Sequence, residues 1–209
     1  MLAIRTIHSL LRLLILLATL TALAACEKVP PLPRLGPADV VVAFGDSLTY
    51  GTGANPDQSY PAVLGGLIGH PVVSAGVPGE VTADGRERLP GVLDQYQPKL
   101  VILCLGGNDM LRKTGDETIA ANLRAMVKLM RERGVAVVLI GVPRPTLLGS
   151  PPEFYREIAR ESAIPYEGEA VKDVLYDRSL KSDPIHPNAQ GYRRMAEAMA
   201  ALLRKAGAV

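Results

Sequence analysis

Three residues of the chain have the side-chain types that nucleophilic acyl transfer needs. Ser47 stands in the segment 44–49, which reads FGDSLT and directly follows an apolar run. Asp183 and His186 lie close together near the end of the chain. A serine hydroxyl is a weak nucleophile until a histidine accepts its proton and a carboxylate orients that histidine. The pattern therefore predicts a nucleophile, a general base and an orienting acid.

Two further segments, which lie between Ser47 and Asp183, could donate hydrogen bonds to an oxyanion. Gly79 follows Pro78, which has no N–H, and a glycine lets the backbone approach a substrate closely. Gly76 is the alternative donor in that segment. Asn108 follows two glycines, and its amide could donate as well, although asparagine also favours left-handed turns. The backbone N–H of Ser47 would complete this set of donors.

Taken together, these elements resemble the four blocks of the SGNH or GDSL hydrolase family, named after a Ser, a Gly, an Asn and a His. The resemblance spans residues 40–205, and the stretch 72–112 is similar to the bacterial branch of acyl-CoA thioesterases, arylesterases and lysophospholipases. There are two departures from the family pattern. Glu80 stands where an Asp is more usual, and Pro184 where a Gly is commoner.

The resemblance implies a role for each of these residues. Ser47 would be the nucleophile, and Asp183 and His186 would complete the catalytic triad. Ser47, Gly79 and Asn108 would supply the oxyanion donors. The family fold is a three-layer α/β/α sandwich around a five-stranded parallel sheet in flavodoxin-like order, and no cofactor is implied.

The activity implied by the resemblance is that of a serine esterase acting on small acyl esters or lipids. Thioesters and lysophospholipids are further candidate substrates. One alternative is a carbohydrate O-acetyl esterase of the cell envelope, and another is a non-catalytic glycan-binding lipoprotein. The α/β-hydrolase class is disfavoured, because the chain lacks a Gly-x-Ser-x-Gly elbow. A metal site is disfavoured because no second histidine or acidic cluster has ligand spacing.

Hydrophobic patterning independently predicts an α/β fold. Short continuous apolar runs, typical of strands covered on both faces, occupy 39–44, 71–75, 99–105, 135–141 and 163–166. Helical patterns occupy 59–68, 83–96, 117–133, 152–162, 168–177 and 188–206. Ser47, Gly79 and Asn108 each follow one of the first three strands, so we expect them at one edge of a parallel sheet, where ligands bind.

The N-terminus predicts export and a lipid anchor. Residues 1–25 have a basic start and an apolar middle, as in a signal peptide, and Leu-Ala-Ala before Cys26 resembles the bacterial lipobox, in which that cysteine is lipidated. An ordinary signal peptide or an uncleaved anchor helix is the alternative. Residues 26–38 predict a proline-rich tether and residues 39–209 a single hydrolase domain. Glu27 favours the periplasmic side of a bacterial outer membrane.

Charge and the remaining motifs narrow the list of partners. The chain has 23 basic and 21 acidic residues, and the signal peptide holds two of the basic ones, so there is no electrostatic case for nucleic acid. We expect a monomer.

Cys104 lies in an apolar run and is predicted to be a core thiol. Segment 144–152 follows the fourth strand, and its Leu147 and Leu148 could contact an acyl chain; a plain proline-rich connector is the alternative.

Overall fold

The computed structural model describes residues 28–145 and 149–209. Cys26 and the predicted signal peptide lie outside the described residues, as do Leu147 and Leu148. Lipidation and the acyl-chain contacts of these two leucines therefore stay predictions. Within the described ranges, no helix has both the length and the apolarity needed to cross a membrane.

A parallel sheet forms the centre of the domain. Its strands are β1 (Val41–Gly45), β2 (Val72–Gly76), β3 (Leu100–Cys104), β4 (Ala136–Ile140) and β5 (Tyr166–Glu167). Their order is β2-β1-β3-β4-β5, the predicted flavodoxin-like arrangement. β1 and β3 are buried along their whole length, which explains their continuous apolar sequences. The strand order reverses between β1 and β3, so a crevice opens at the carboxyl ends of these two strands.

Helices cover both faces of the sheet. The described residues contain α1 (Ser47–Tyr50), α2 (Tyr60–Ile68), α3 (Thr82–Tyr96), α4 (Gly107–Leu111), α5 (Asp116–Glu132), α6 (Glu153–Glu161), α7 (Ala170–Tyr176) and α8 (Ala189–Lys205). α2 and α7 pack against α8 on one side, and α3 and α6 pack against α5 on the other. The predicted three-layer sandwich is therefore confirmed.

The final helix shows how an amphipathic sequence builds one of these layers. Its buried side chains recur every three or four residues, as a helix with one face on a sheet requires. They include Tyr192, Met195, Ala196, Met199, Ala200 and Leu203. Asn188 begins the helix by accepting hydrogen bonds from the N–H groups of Gln190 and Gly191, at 3.0 and 3.1 Å. This cap, two residues after His186, fixes where α8 starts.

The segment before β1 packs onto the domain. The N–H of Leu32 donates to the carbonyl of Ala206 at 2.9 Å, and the N–H of Leu35 donates to that of Ala208 at 2.8 Å. The side chain of Leu35 is buried in the core. The described part of the predicted tether therefore belongs structurally to the domain, because its backbone groups find partners beyond the end of α8.

Candidate active site

Ser47, His186 and Asp183 form one hydrogen-bonded chain. Nε2 of His186 lies 2.9 Å from Oγ of Ser47, and Nδ1 of His186 lies 2.7 Å from Oδ2 of Asp183. When Nδ1–H donates to the carboxylate, Nε2 is left to accept the proton of the serine hydroxyl. The structure thus brings the three predicted side chains together in an arrangement that can activate a nucleophile.

The turn between β1 and α1 positions Ser47. Asp46 precedes the helix, and its Oδ1 accepts the N–H of Leu48 at 3.0 Å. A side chain at Gly45 would collide with the carbonyl of Cys104, so only glycine fits the end of β1. Ser47 is therefore held directly after a buried strand, at the carboxyl edge of the sheet.

The loop that carries Asp183 and His186 is closed by its own backbone. Lys181 pairs with Pro187 in an isolated antiparallel bridge, and the N–H of Ser182 donates to the carbonyl of His186 at 3.0 Å. Inside this loop, Oδ1 of Asp183 accepts the N–H groups of Ile185 and His186, both at 2.9 Å. One carboxylate oxygen thus orders the loop while the other holds the histidine ring.

Pro184, the residue that departs from the family pattern, is compatible with this loop. The donors to Asp183 come from the two residues after the proline, so the missing N–H of Pro184 removes no hydrogen bond. Partial burial of Asp183 favours its neutral form. The hydrogen bonds from His186 and from the backbone outweigh that effect, so the pKa of Asp183 lies below its ordinary value. The carboxylate is therefore charged when it orients His186.

Two of the predicted oxyanion donors have backbone N–H groups without an acceptor among the described residues. Neither Ser47 nor Gly79 uses its N–H for a hydrogen bond to an acceptor in residues 28–145 or 149–209. Gly79 has φ +81°, a conformation that glycine adopts readily. Gly76 has a different task, because a side chain there would collide with the backbone of Tyr50. The packing of α1 against β2 thus explains Gly76 without a donor role.

Asn108 lies beside Ser47 in the same cleft, but its amide already has two acceptors. Nδ2 donates to Oδ2 of Asp46 at 3.2 Å and to the carbonyl of Glu80 at 3.0 Å. To donate to an oxyanion, this amide would have to give up its hydrogen bond to one of these two acceptors. The same contacts connect the loop after β3 to the loops after β1 and β2. These three loops carry the predicted oxyanion residues, which are Asn108, Ser47 and Gly79.

A partly buried ion pair holds the Gly79 loop. Glu80 accepts two hydrogen bonds of 2.7 Å from Arg88, whose guanidinium also lies 4.2 Å from the centre of the Phe44 ring. Arg112 donates to the carbonyl of Gly79 at 3.0 Å. The acidic residue after Gly79 is therefore a structural anchor. Sequence reasoning missed its partner because Arg88 approaches Glu80 only in the folded chain.

Asp109 braces a neighbouring segment. It accepts the N–H of Thr82 at 2.8 Å and the hydroxyl of Thr82 at 2.6 Å, at the first residue of α3. From its place directly after Asn108 in the sequence, Asp109 is predicted to cap or brace the turn that follows it. The observed contacts instead join the Asn108 loop to the helix that follows Gly79, which adds a second connection between the two predicted oxyanion segments.

Asp46 is buried and titrates abnormally. Burial raises its pKa from an ordinary 3.8 to about 7, although the N–H of Leu48 and the charge of His186 act in the opposite direction. Because the folded-state pKa is the higher one, the stability that Asp46 contributes is complete below about pH 4 and is lost as the pH rises through about 7.

This linkage predicts how Asp46→Asn changes stability. Relative to that of the wild type, the free energy of unfolding of the variant should rise by about 3 kcal/mol as the pH goes from about 4.5 to about 8. Urea unfolding of both proteins at each pH measures the difference, and any pH-independent effect of the new amide cancels. A difference that stays constant across this range would contradict the buried carboxyl.

A cleft of about 500 Å³ adjoins the Ser47–His186 pair. Its apolar lining includes Leu48, Leu111, Val142, Leu175, Tyr176 and Ile185, and its cations are Arg144, Arg178 and Lys181. As predicted, the segment after β4 reaches this edge of the sheet, where residues 142–145 line the cleft. Another wall comes from Leu175, Tyr176, Arg178, Lys181, Pro184 and Ile185, for which the sequence analysis predicted no substrate contact. The nearness of this segment to His186 along the chain was the available signal.

Cys104, which was predicted to be a core thiol, lies in the described part of the chain. Cys104 is fully buried, and burial raises the pKa of its thiol well above the ordinary value, as fits a core residue. Across residues 28–145 and 149–209, no group of three or more His, Cys, Asp or Glu side chains could hold a metal ion.

Comparison with known proteins identifies the class. Residues 43–194 match the GDSL-like Lipase/Acylhydrolase family. The chain is 28% identical over 190 residues to esterase TesA of Pseudomonas aeruginosa, covering 84% of this chain and 92% of that protein. It is also 28% identical over 179 residues to thioesterase 1/protease 1/lysophospholipase L1 of Escherichia coli strain K12, covering 82% of this chain and 86% of the relative.

Solved structures agree with the sequence comparison. A crystal structure of TesA matches with a TM-score of 0.73 and 26% identity, covering 80% of this chain and 99% of that one. The chain therefore belongs to the GDSL-like lipase/acylhydrolase family. It is a hydrolase that acts on ester bonds, as the sequence predicted.

Proposed function

We propose that this hydrolase cleaves carboxylic esters through an acyl-enzyme on Ser47. The observation that carries the proposal is the hydrogen-bonded chain from Oγ of Ser47 through His186 to Asp183. A serine with this support can attack a carbonyl carbon, whereas an unsupported serine hydroxyl cannot do so at a useful rate.

The reaction has two halves that use the same groups. His186 accepts the proton of Ser47 as Oγ bonds to the carbonyl carbon, and the N–H groups of Ser47 and Gly79 stabilise the resulting oxyanion. His186 then gives the proton to the leaving oxygen, and the bond from carbon to that oxygen breaks. In the second half, His186 takes a proton from water, the water oxygen attacks the acyl group, and the released Ser47 oxygen regains a proton.

Asn108 would join these donors once the oxyanion forms. Its amide would then turn from one of its present acceptors, Asp46 or Glu80, toward the new negative charge. Donors that strengthen their contact only as charge develops accelerate the chemical step, and loss of one such donor typically lowers kcat by about 10²- to 10³-fold. Asn108 lines the same cleft as Ser47, which supports this role.

We further propose that the acyl group is longer than acetyl. An acetyl group would contact little of a 500 Å³ cleft whose lining includes Leu111, Val142 and Ile185. Each buried methylene contributes about 0.8 kcal/mol, so longer chains gain binding until the apolar wall ends. The naming of one relative as a thioesterase and lysophospholipase supports acyl substrates of this kind.

A chain-length series tests this proposal. Residues 27–209 should hydrolyse p-nitrophenyl hexanoate with a kcat/KM at least about 10-fold above that for the acetate, because several more methylenes reach the apolar wall. The p-nitrophenol leaving group is the same throughout the series, so the acyl chain is the only variable. Maximal activity on acetate would instead favour the O-acetyl esterase alternative.

A further inference from the structure

The cleft beside Ser47 has two cations on one wall without an acidic partner. Arg178 and Lys181 both line it, and neither forms an ion pair with an acidic residue of the described ranges. Arg144, the third cation of the lining, differs because it pairs with Asp116. Among the described residues of the lining, Asp46 is the only acidic one, and it is buried. The described side chains that line the cleft therefore carry more positive than negative charge.

The backbone holds Lys181 on the His186 side of the cleft. Lys181 faces Pro187 across the antiparallel bridge, and residues paired in this way have Cα atoms about 4.5–5.5 Å apart. The neighbouring pair is joined by the hydrogen bond of 3.0 Å from the N–H of Ser182 to the carbonyl of His186. The position of Lys181 relative to the catalytic histidine is thus set by closed backbone geometry.

Arg178 belongs to the same rigid segment. It begins the 3-10 turn Arg178–Leu180, and the side chain of Asn188 donates to the carbonyls of Ser179 and Lys181 at 2.8 and 3.3 Å. The two nearest acids along the chain are already engaged. Asp177 accepts the N–H and hydroxyl of Ser179, and Asp183 accepts its hydrogen bonds from the His186 loop. Neither carboxylate forms an ion pair with Arg178 or Lys181, so the head groups of both cations can contact a ligand.

The mechanism decides which part of an ester meets these cations. His186 must protonate the leaving oxygen, so the alcohol of the substrate lies on the His186 side of the reacting carbon. We propose that Arg178 and Lys181 form a subsite for an anionic group on the leaving alcohol, which makes phosphate-bearing alcohols the preferred leaving groups. This inference rests on the proposed function. Guanidinium and ammonium groups are the side chains that bind phosphate oxygens best.

A matched pair of substrates isolates this subsite. The hexanoate esters of glycerol and of glycerol 3-phosphate share the acyl chain and the ester bond and differ only in the phosphate. In the double variant Arg178→Gln/Lys181→Gln, the ratio of kcat/KM for the phosphate ester to that for the neutral ester should fall about 10-fold at low ionic strength. Lys128→Gln removes one exposed positive charge from α5, away from the cleft, and should leave this ratio at its wild-type value.

The salt dependence of the wild-type ratio and the ratio in the double variant both test the proposed subsite. Added salt should lower the wild-type ratio toward that of the double variant, because exposed charges are screened over about 10 Å at about 0.1 M salt. An unchanged ratio in the double variant would overturn the subsite, and so would an equal loss on both esters. If the wild type cleaved neither these esters nor p-nitrophenyl hexanoate, the proposed function would fail, and the subsite with it.

Discussion

Ser47→Ala is expected to lower kcat/KM for p-nitrophenyl hexanoate by about 10⁴-fold or more. The hydroxyl oxygen that forms the acyl-enzyme is lost, whereas the oxyanion donors and the cleft remain. Steady-state hydrolysis by wild type and variant measures the effect. Since Ser47 lies at the cleft and its hydroxyl bonds only His186 among the described residues, its removal should leave the fold intact.

A second serine provides the control. Ser162 follows α6, close to the start of β4 and therefore at the opposite edge of the sheet from the catalytic residues. Ser162→Ala should keep wild-type activity. If Ser47→Ala retained activity within about 10-fold of the wild type, another nucleophile would have to be at work.

Asp183→Asn is expected to cost about 10⁴-fold in kcat, nearly as much as loss of the nucleophile. The amide introduced by this substitution could donate to Nδ1 of His186 and place the ring proton on Nε2, which could then no longer accept the proton of Ser47. The carbonyl oxygen of the new amide can still accept the N–H groups of Ile185 and His186, so the loop should persist. A kinetic defect without a matching loss of thermal stability is the expected pattern.

Asp177→Asn is the matched control for this variant. Asp177 also accepts a backbone N–H two residues ahead, that of Ser179 at 2.8 Å, but it does not contact His186. It should behave like the wild type on neutral esters. Equal losses in Asp177→Asn and Asp183→Asn would mean that loop stability, and not the histidine tautomer, limits the reaction.

The large elements of the fold could be predicted because burial leaves a pattern in the sequence. β1 and β3 lie between two helical layers, so nearly every side chain is apolar, and α5 and α8 repeat their apolar residues with the helical period. α1 and α4 escaped prediction because four or five residues are too few to display a period. Ser47 and Asn108 lie in these two short helices, so the site was located from its residue types instead.

The contacts that refine the site could not be predicted in the same way. The triad follows from chemistry, since few residue types can activate a serine. The pairing of Glu80 with Arg88, the two acceptors of Asn108 and the hydrogen bond from Leu32 to Ala206 depend on which surfaces meet after folding. A local sequence pattern does not indicate any of these contacts. The wall formed by residues 175–186 has the same origin, because its side chains become neighbours of Ser47 only through the position of the His186 loop.

The most direct measurement is the intact mass of the protein after reaction with a p-nitrophenyl alkylphosphonate, which places a stable tetrahedral phosphorus on a catalytic serine. We predict one adduct per chain, located by peptide mapping to the peptide that contains Ser47, with stoichiometric release of p-nitrophenol. The adduct should be absent from Ser47→Ala. A wild-type adduct at any other residue, or an adduct that persists in Ser47→Ala, would contradict the acyl-enzyme on Ser47.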